Sequence, residues 1–226
     1  MCPDLPGHGA DPGDGPVDLS AALRVVEDAV VEASAAGPPV LCGYSMGGRI
    51  ALQYAMRRSG SLSGLVLEST SPGLADPVER AARRVADEGR ARALLAEGIE
   101  AFVDRWEALS LFDGVAALPA ETRLALRRRR LASDPGGLAA SLRGLGTGVL
   151  PSLWDELDTL QLPTTVLVGA DDEKFRNMGV RMVERLPTAH LTIVPDAGHV
   201  VHLEAPDAWA RTINDFGASL TGEASF

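Results

Sequence analysis

From Asp18 onward apolar residues fall at Leu19, Leu23, Val26 and Val30, the spacing of one helix face, until Gly37-Pro38-Pro39 stops the run. Four short apolar runs follow at wide intervals: Val40-Leu41-Cys42, Leu65-Val66-Leu67, Thr165-Val166-Leu167-Val168 and Leu191-Thr192-Ile193-Val194. Each has the length of a strand buried on both faces. Helical spacing returns between them, from Arg49 to about Arg58, from Lys174 to about Leu186, and from Pro206 onward. This alternation predicts an α/β chain with a mostly parallel sheet and helices on both faces. The residues before Asp18, rich in Gly, Pro and Asp, read as loop, and the tail Gly222 to Phe226 is expected to fray.

Residues 72 to 150 break the pattern. They contain no strand-like run and read as Ala-, Arg- and Leu-rich helices interrupted at Gly98, Gly114, Pro119 and Pro135-Gly136-Gly137. The expected organisation is an α/β core made of 1–71 and 151–226, with 72–150 inserted as a helical cap. A chain of 226 residues accommodates that as one domain with an insertion.

Charge refines this picture. The formal net charge of -10 argues against a nucleic-acid binder. Its distribution is uneven: residues 72–150 carry 12 Arg against 11 acidic residues, whereas the rest of the chain carries 9 basic against 20 acidic residues. Lys174 is the single lysine, which reflects coding bias and needs no function. No apolar run approaches the ~18 residues of a membrane span, and the first residues lack the basic and apolar regions of a signal peptide, so the default compartment is the cytoplasm. Cys42 ends an apolar run, and a buried thiol is expected there in preference to a disulfide with Cys2.

The candidate chemistry sits where strands end. Gly43-Tyr44-Ser45-Met46-Gly47 lies between a strand and a helix, the setting of a nucleophile elbow, with the Met46 amide as an oxyanion donor. The bare pattern is weak and a turn serine is its plain alternative; its placement gives it weight. A serine hydroxyl needs an imidazole to take its proton, and the imidazole needs a carboxylate. Asp171-Asp172 follows one strand and Gly198-His199 the next, giving Ser, Asp, His in the chain order used by α/β hydrolases. His8, His190 and His202 are less well placed. Asp171 is the runner-up to Asp172, with capping of the next helix as its ordinary role.

Asp4-Leu-Pro-Gly-His-Gly9, Gly43-Tyr-Ser-Met-Gly-Gly-Arg-Ile-Ala-Leu52, Glu68-Ser-Thr-Ser-Pro-Gly-Leu74, Asp172-Glu-Lys-Phe175 and Gly198-His199 together resemble the 2-succinyl-6-hydroxy-2,4-cyclohexadiene-1-carboxylate synthase family of menaquinone biosynthesis. The resemblance implies an α/β-hydrolase fold carrying a lyase. Such enzymes remove a proton from a cyclohexene dicarboxylic acid bearing an enolpyruvyl ether and expel pyruvate, with no metal or organic cofactor. It implies Ser45 as the base activated by His199 and Asp172, with Tyr44 and Arg49 beside it and Arg83, Trp106 and Arg130 from the cap lining the pocket. Lys174 and Phe175 would help seat the loop that presents Asp172. Independently, a polycarboxylate bound to an acidic protein needs local cations, and arginine offers a planar fork suited to carboxylate. The ordinary reading of Arg83 and of Arg127 to Arg130 is a solvated helix face. Four consecutive helical residues step by about 100° each, so all four cannot face one pocket.

Members of that family carry further strands and a second oxyanion donor ahead of the Asp-Leu-Pro-Gly-His-Gly loop. The expectation is therefore a start assigned too late or an incomplete fragment, lacking a donor whose loss costs about 100- to 1000-fold in rate. Two other functions remain open on the same residues: a carboxylesterase in which Ser45 attacks an ester carbonyl, and a module without activity.

Overall fold

The computed structural model describes residues 1–9 and 15–222. The loop expected across 10–14 and the frayed end at 223–226 lie outside the described residues. Four strands, β1 (Val40–Tyr44), β2 (Gly64–Glu68), β3 (Thr164–Gly169) and β4 (Ala189–Val194), form one sheet in sequence order, with every neighbouring pair parallel. Every residue of β2 and β3 is buried, as expected of strands covered on both faces. The register sets Tyr44 opposite Glu68, Glu68 opposite Leu167 and Gly169 opposite Val194, so β1 and β2 end level with each other and β3 and β4 run two residues further, all four carboxyl ends lying at one edge of the sheet. Loops leaving those ends are where ligands meet open α/β sheets.

The chain divides into two compact units. One comprises 1–29, 73–110 and 119–154; the other comprises 30–72, 111–118 and 155–226 and contains the whole sheet. Relative to the division drawn from the sequence at 72 and 150, the opening residues group with the helical unit, and 111–118 with the sheet. In the sheet unit, α2 (Met46–Arg58) packs on β1 and β2, α6 (Glu173–Val183) on β3 and β4, and α8 (Pro206–Thr221) on β4. The one-turn helix α7 (Val201–Glu204) precedes α8 and joins a core of Leu167, Val194, Ala197 and Val201. Helix α1 (Leu19–Ala33) occupies the periodic segment near the start.

The expected burial of Cys42 does not hold. Val40 and Cys42 are exposed because β1 is the first strand of the sheet order and, among the described residues, has a strand neighbour on one side only. No disulfide joins Cys42 to Cys2.

In the helical unit, Asp76 opens α3 (Pro77–Glu107) by accepting from the Val78 and Glu79 amides at 2.7 and 2.8 Å, with Pro77 in the first turn. Gly98 interrupts α3 where the sequence predicts a break: at φ 88°, ψ 174° it is far from helical values, in a region that L-residues disfavour. The proline-glycine cluster at 135–137 is the start of α5 (Pro135–Gly144) rather than a simple break. Asp134 caps it through the Gly137 amide at 2.6 Å. A shorter α4 (Ala120–Leu131) lies between, and Ala91, Leu94 and Ala139 form a core joining α3 to α5.

Ion pairs brace α3, and one crosses to α5. Asp87, 2% exposed, takes one hydrogen bond each from Arg83 and Arg90, both at 2.8 Å. Glu88 receives Arg143 from α5 and Arg92 from its own helix, and these bonds hold its carboxyl down at about 2. A carboxyl lowered in this way adds stability above the unfolded value of 4.5 and loses it as pH falls to about 2. The groups stand in solvent, so salt screens the effect. Asp87→Ala is expected to cost about 1–3 kcal/mol by urea unfolding. The larger cost of breaking a fully buried pair does not apply, because the arginine side chains are 37% and 42% exposed and re-solvate.

Candidate active site

Ser45 follows β1 immediately and precedes the first residue of α2, at φ 48° and ψ -109°. That conformation is strained for an L-residue. Its amide donates to the Glu68 carbonyl at 2.9 Å, and its carbonyl accepts from the Arg49 amide at 3.1 Å and from Thr70 Oγ1 at 2.7 Å. Two glycines make room for the turn. A Cβ at Gly43 would stand 2.6 Å from the Gly47 carbonyl oxygen, and one at Gly48 would stand 2.7 Å from the Thr70 Cβ. Thus β1 meets α2, and α2 meets the loop after β2, at distances only glycine permits.

Asp172 lies three residues after the end of β3 and is buried. Its Oδ1 caps α6 by accepting from the Phe175 amide at 3.1 Å, while Oδ2 is 2.6 Å from His199 Nδ1. Helix capping therefore falls to Asp172 and not to Asp171, which is exposed and bonds through its amide to the Ala197 carbonyl. His199 sits on the loop after β4, and its Nε2 is 3.2 Å from Ser45 Oγ. Serine, imidazole and carboxylate thus form one hydrogen-bonded line drawn from the ends of three strands. The His199 side chain is 1% exposed, walled by Phe175, Tyr44 and Phe112 with ring centroids at 4.6, 5.3 and 6.2 Å. A wall of this kind keeps water off the imidazole and strengthens the hydrogen bonds it makes.

Among the other residues singled out from sequence, Tyr44 ends β1, Met46 opens α2 and Arg49 stands one helical turn past Ser45. Arg83 is bonded to Asp87, and Arg130 to Glu107 at 2.9 Å, each within the helical unit. Trp106 stacks on Phe102 with centroids 5.7 Å apart, and both line a cavity of about 400 Å³ in that unit, together with Arg90, Arg105 and Leu109. Lys174 is exposed, its Nζ 5.3 Å from the ring centre of Phe175. His190 is exposed on β4, and the His8 ring bonds to the Pro6 carbonyl.

His202 has more to it than its sequence position suggests. Its amide and its Nδ1 both donate to Glu68 Oε1, at 3.1 and 2.8 Å, and its ring meets Tyr44 edge-on at 4.9 Å. Glu68 itself is 1% exposed and also receives Trp209 Nε1 at 2.9 Å. Sequence reading gave Glu68 no role, though a carboxylate ending an otherwise apolar strand is a signal that buried partners await it. Among the described residues no group of three or more His, Cys, Asp or Glu side chains is disposed to hold a metal ion, and no helix is long and apolar enough to cross a membrane.

Comparison with known proteins identifies the family. Residues 1–212 match the alpha/beta hydrolase family. A putative 2-succinyl-6-hydroxy-2,4-cyclohexadiene-1-carboxylate synthase of Bacillus subtilis is 41% identical over 80% of this chain, which spans 66% of that protein, just under two thirds. The 2-succinyl-6-hydroxy-2,4-cyclohexadiene-1-carboxylate synthase of Serratia proteamaculans is 32% identical over 94% of this chain and 80% of its own length. The solved structure of MenH from S. aureus superposes with a TM-score of 0.91 at 36% identity, covering 96% of this chain and 82% of that one.

The strain at Ser45 is measurable without an assay. Ser45→Gly is expected to be more stable than Ser45→Ala by about 1 kcal/mol in urea unfolding, because glycine relieves about 1–3 kcal/mol of strain and returns about 0.5–1 kcal/mol as unfolded-state entropy. Equal stability of the two variants would mean that the turn is not strained.

Proposed function

Because the chain belongs to the alpha/beta hydrolase family, and within it to the 2-succinyl-6-hydroxy-2,4-cyclohexadiene-1-carboxylate synthases, we propose that it is a carbon–oxygen lyase. In this reading it expels pyruvate from 2-succinyl-5-enolpyruvyl-6-hydroxy-3-cyclohexene-1-carboxylate in menaquinone biosynthesis, in the cytoplasm. The observation that carries it is the identity to a named synthase across 94% of the chain, in a protein whose Asp172, His199 and Ser45 stand in line at 2.6 and 3.2 Å.

The chemistry follows from the geometry. His199 Nε2 takes the hydroxyl proton of Ser45, and Asp172 stabilises the imidazolium through Nδ1. The Ser45 oxygen takes a proton from the substrate ring. The electron pair left behind forms a new ring double bond, the existing ring double bond shifts by one position, and the bond to the enolpyruvyl oxygen breaks, releasing the enolate of pyruvate. His199 returns its proton to the departing group, which ends as pyruvate, and the ring proton stays on Ser45. The Met46 amide, in the first turn of α2, faces negative charge developing beside Ser45. Arg49 and Tyr44 would hold the substrate next to Ser45, with Arg83, Trp106 and Arg130 serving the remaining carboxylate and the ring. Arg83 gives its Nε–H to Asp87 and Arg130 a terminal N–H to Glu107, so these carboxylates would compete with the substrate for both cations.

The same line of groups would serve ester hydrolysis by attack of Ser45 on a carbonyl. Arg49 beside the serine and the identity to named synthases favour the anionic cyclohexene substrate. Pyruvate release, followed with a lactate dehydrogenase coupling system, is expected to fall about 100- to 10,000-fold in Ser45→Ala and in His199→Ala, with the double variant no worse than either. Turnover of neutral p-nitrophenyl esters without pyruvate release from the cyclohexene substrate would overturn the lyase reading. Asp172→Asn separates the two duties of that carboxylate. Asparagine caps helices well, so stability should change by less than about 1 kcal/mol while kcat falls by about four orders of magnitude.

A further inference from the structure

We propose that Glu204 is the positioning residue for His199: one carboxylate spans the imidazole's own stretch of backbone and sets where the ring points. The proposal rests on the reading of His199 as the proton carrier and goes beyond it. Oε2 of Glu204 accepts from the Gly198 amide at 2.6 Å, and Oε1 accepts from the Val200 amide at 2.9 Å. The two oxygens thus grip the chain immediately before and immediately after residue 199. Each is a charge-assisted bond to a backbone donor, roughly twice as strong as a neutral one.

The loop needs such a grip. It leaves β4 through Asp196 at φ 53°, a left-handed conformation disfavoured for a non-glycine residue, and it offers no sheet or helix bonds of its own from 197 until the Val200 carbonyl opens α7. Its other restraints hold carbonyls: Ala197 accepts from the Asp171 amide at 3.0 Å, and Val200 accepts from the amides of Leu203 and Glu204, both at 2.9 Å. The donors on either side of His199 are left to Glu204.

Glu204 is itself held in place. It ends α7, whose His202 amide and ring are bound to the buried carboxylate of Glu68 on β2. The space around it is closed by Gly114, where a Cβ would stand 2.0 Å from Oε2. Phe112, two residues earlier, lies against the His199 ring. A buried strand end therefore fixes α7, α7 carries Glu204, and Glu204 fixes the peptide planes beside His199. The His199 Nε2 to Ser45 Oγ distance is the quantity this chain of contacts sets.

Two variants test it. Glu204→Gln turns one acceptor into a donor, placing an amide N–H against the N–H of Gly198 or Val200. Gly114→Ala pushes a methyl group into Oε2 and alters no polar group. The primary readout needs no substrate: the low-field proton resonance of the His199–Asp172 hydrogen bond is expected to shift or vanish in both variants while near-UV circular dichroism stays native. With substrate, kcat is expected to fall about 10- to 100-fold with KM changed less than about threefold, the signature of a misplaced proton carrier. A folded Glu204→Gln variant with an unchanged resonance and kcat, losing thermal stability alone, would overturn the proposal. If Glu204→Gln fails to fold, Gly114→Ala decides by the same readouts. Absence of pyruvate release from the unaltered protein would count against the lyase and leave the resonance test intact.

Discussion

A serine at φ 48° and ψ -109° does not hold that conformation by itself; the neighbouring structure imposes it. The parallel register of β1 and β2 places the Glu68 carbonyl against the Ser45 amide, and Thr70 on the following loop takes the Ser45 carbonyl. Gly43 and Gly48 let strand, helix and loop approach closely enough for both bonds. Removing any of these would let the turn relax toward ordinary geometry and withdraw the hydroxyl from His199. The rest of the site then follows from the parallel order of the strands, which puts the loops after β3 and β4 at the same edge of the sheet as this turn.

Much of this was legible in the sequence because it is local. Strand, glycine and serine spacing located the elbow, and Asp and His each followed an apolar run that could be read as a strand. Gly98 and Pro119 marked helix boundaries since backbone preference alone decides them. What escaped depends on the third dimension. Cys42 ended an apolar run and was expected inside, yet exposure is settled by whether a strand has neighbours on both sides. Asp171 and Asp172 are alike in sequence, and only the orientation of β3 sends one into the site and the other to solvent. Glu68, His202, Trp209 and Glu204 come from elements far apart along the chain, and their meeting follows from pairing and packing that no periodicity encodes.

The uneven charge also changes meaning. Residues 72–150 hold nearly balanced charge not as a bare cationic surface but with arginines bound to carboxylates, two to each of three: Arg83 and Arg90 at Asp87, Arg92 and Arg143 at Glu88, Arg127 and Arg130 at Glu107. Most of these arginines therefore contribute first to the unit's own architecture. An anionic ligand drawn to them meets a field partly offset by those carboxylates and screened beyond a Debye length of about 8–10 Å.

Asp172 carries two obligations on one side chain, one oxygen ending a helix and the other facing an imidazole, whereas Ser45 carries only one and strains the backbone to do so. The two residues would therefore drift at different rates in a descendant released from selection for turnover. Relief of the turn rewards replacement at 45, and loss of the cap penalises replacement at 172. Among homologues, an aspartate surviving opposite a glycine at the elbow would thus be the mark of a lineage that kept the fold and abandoned the chemistry.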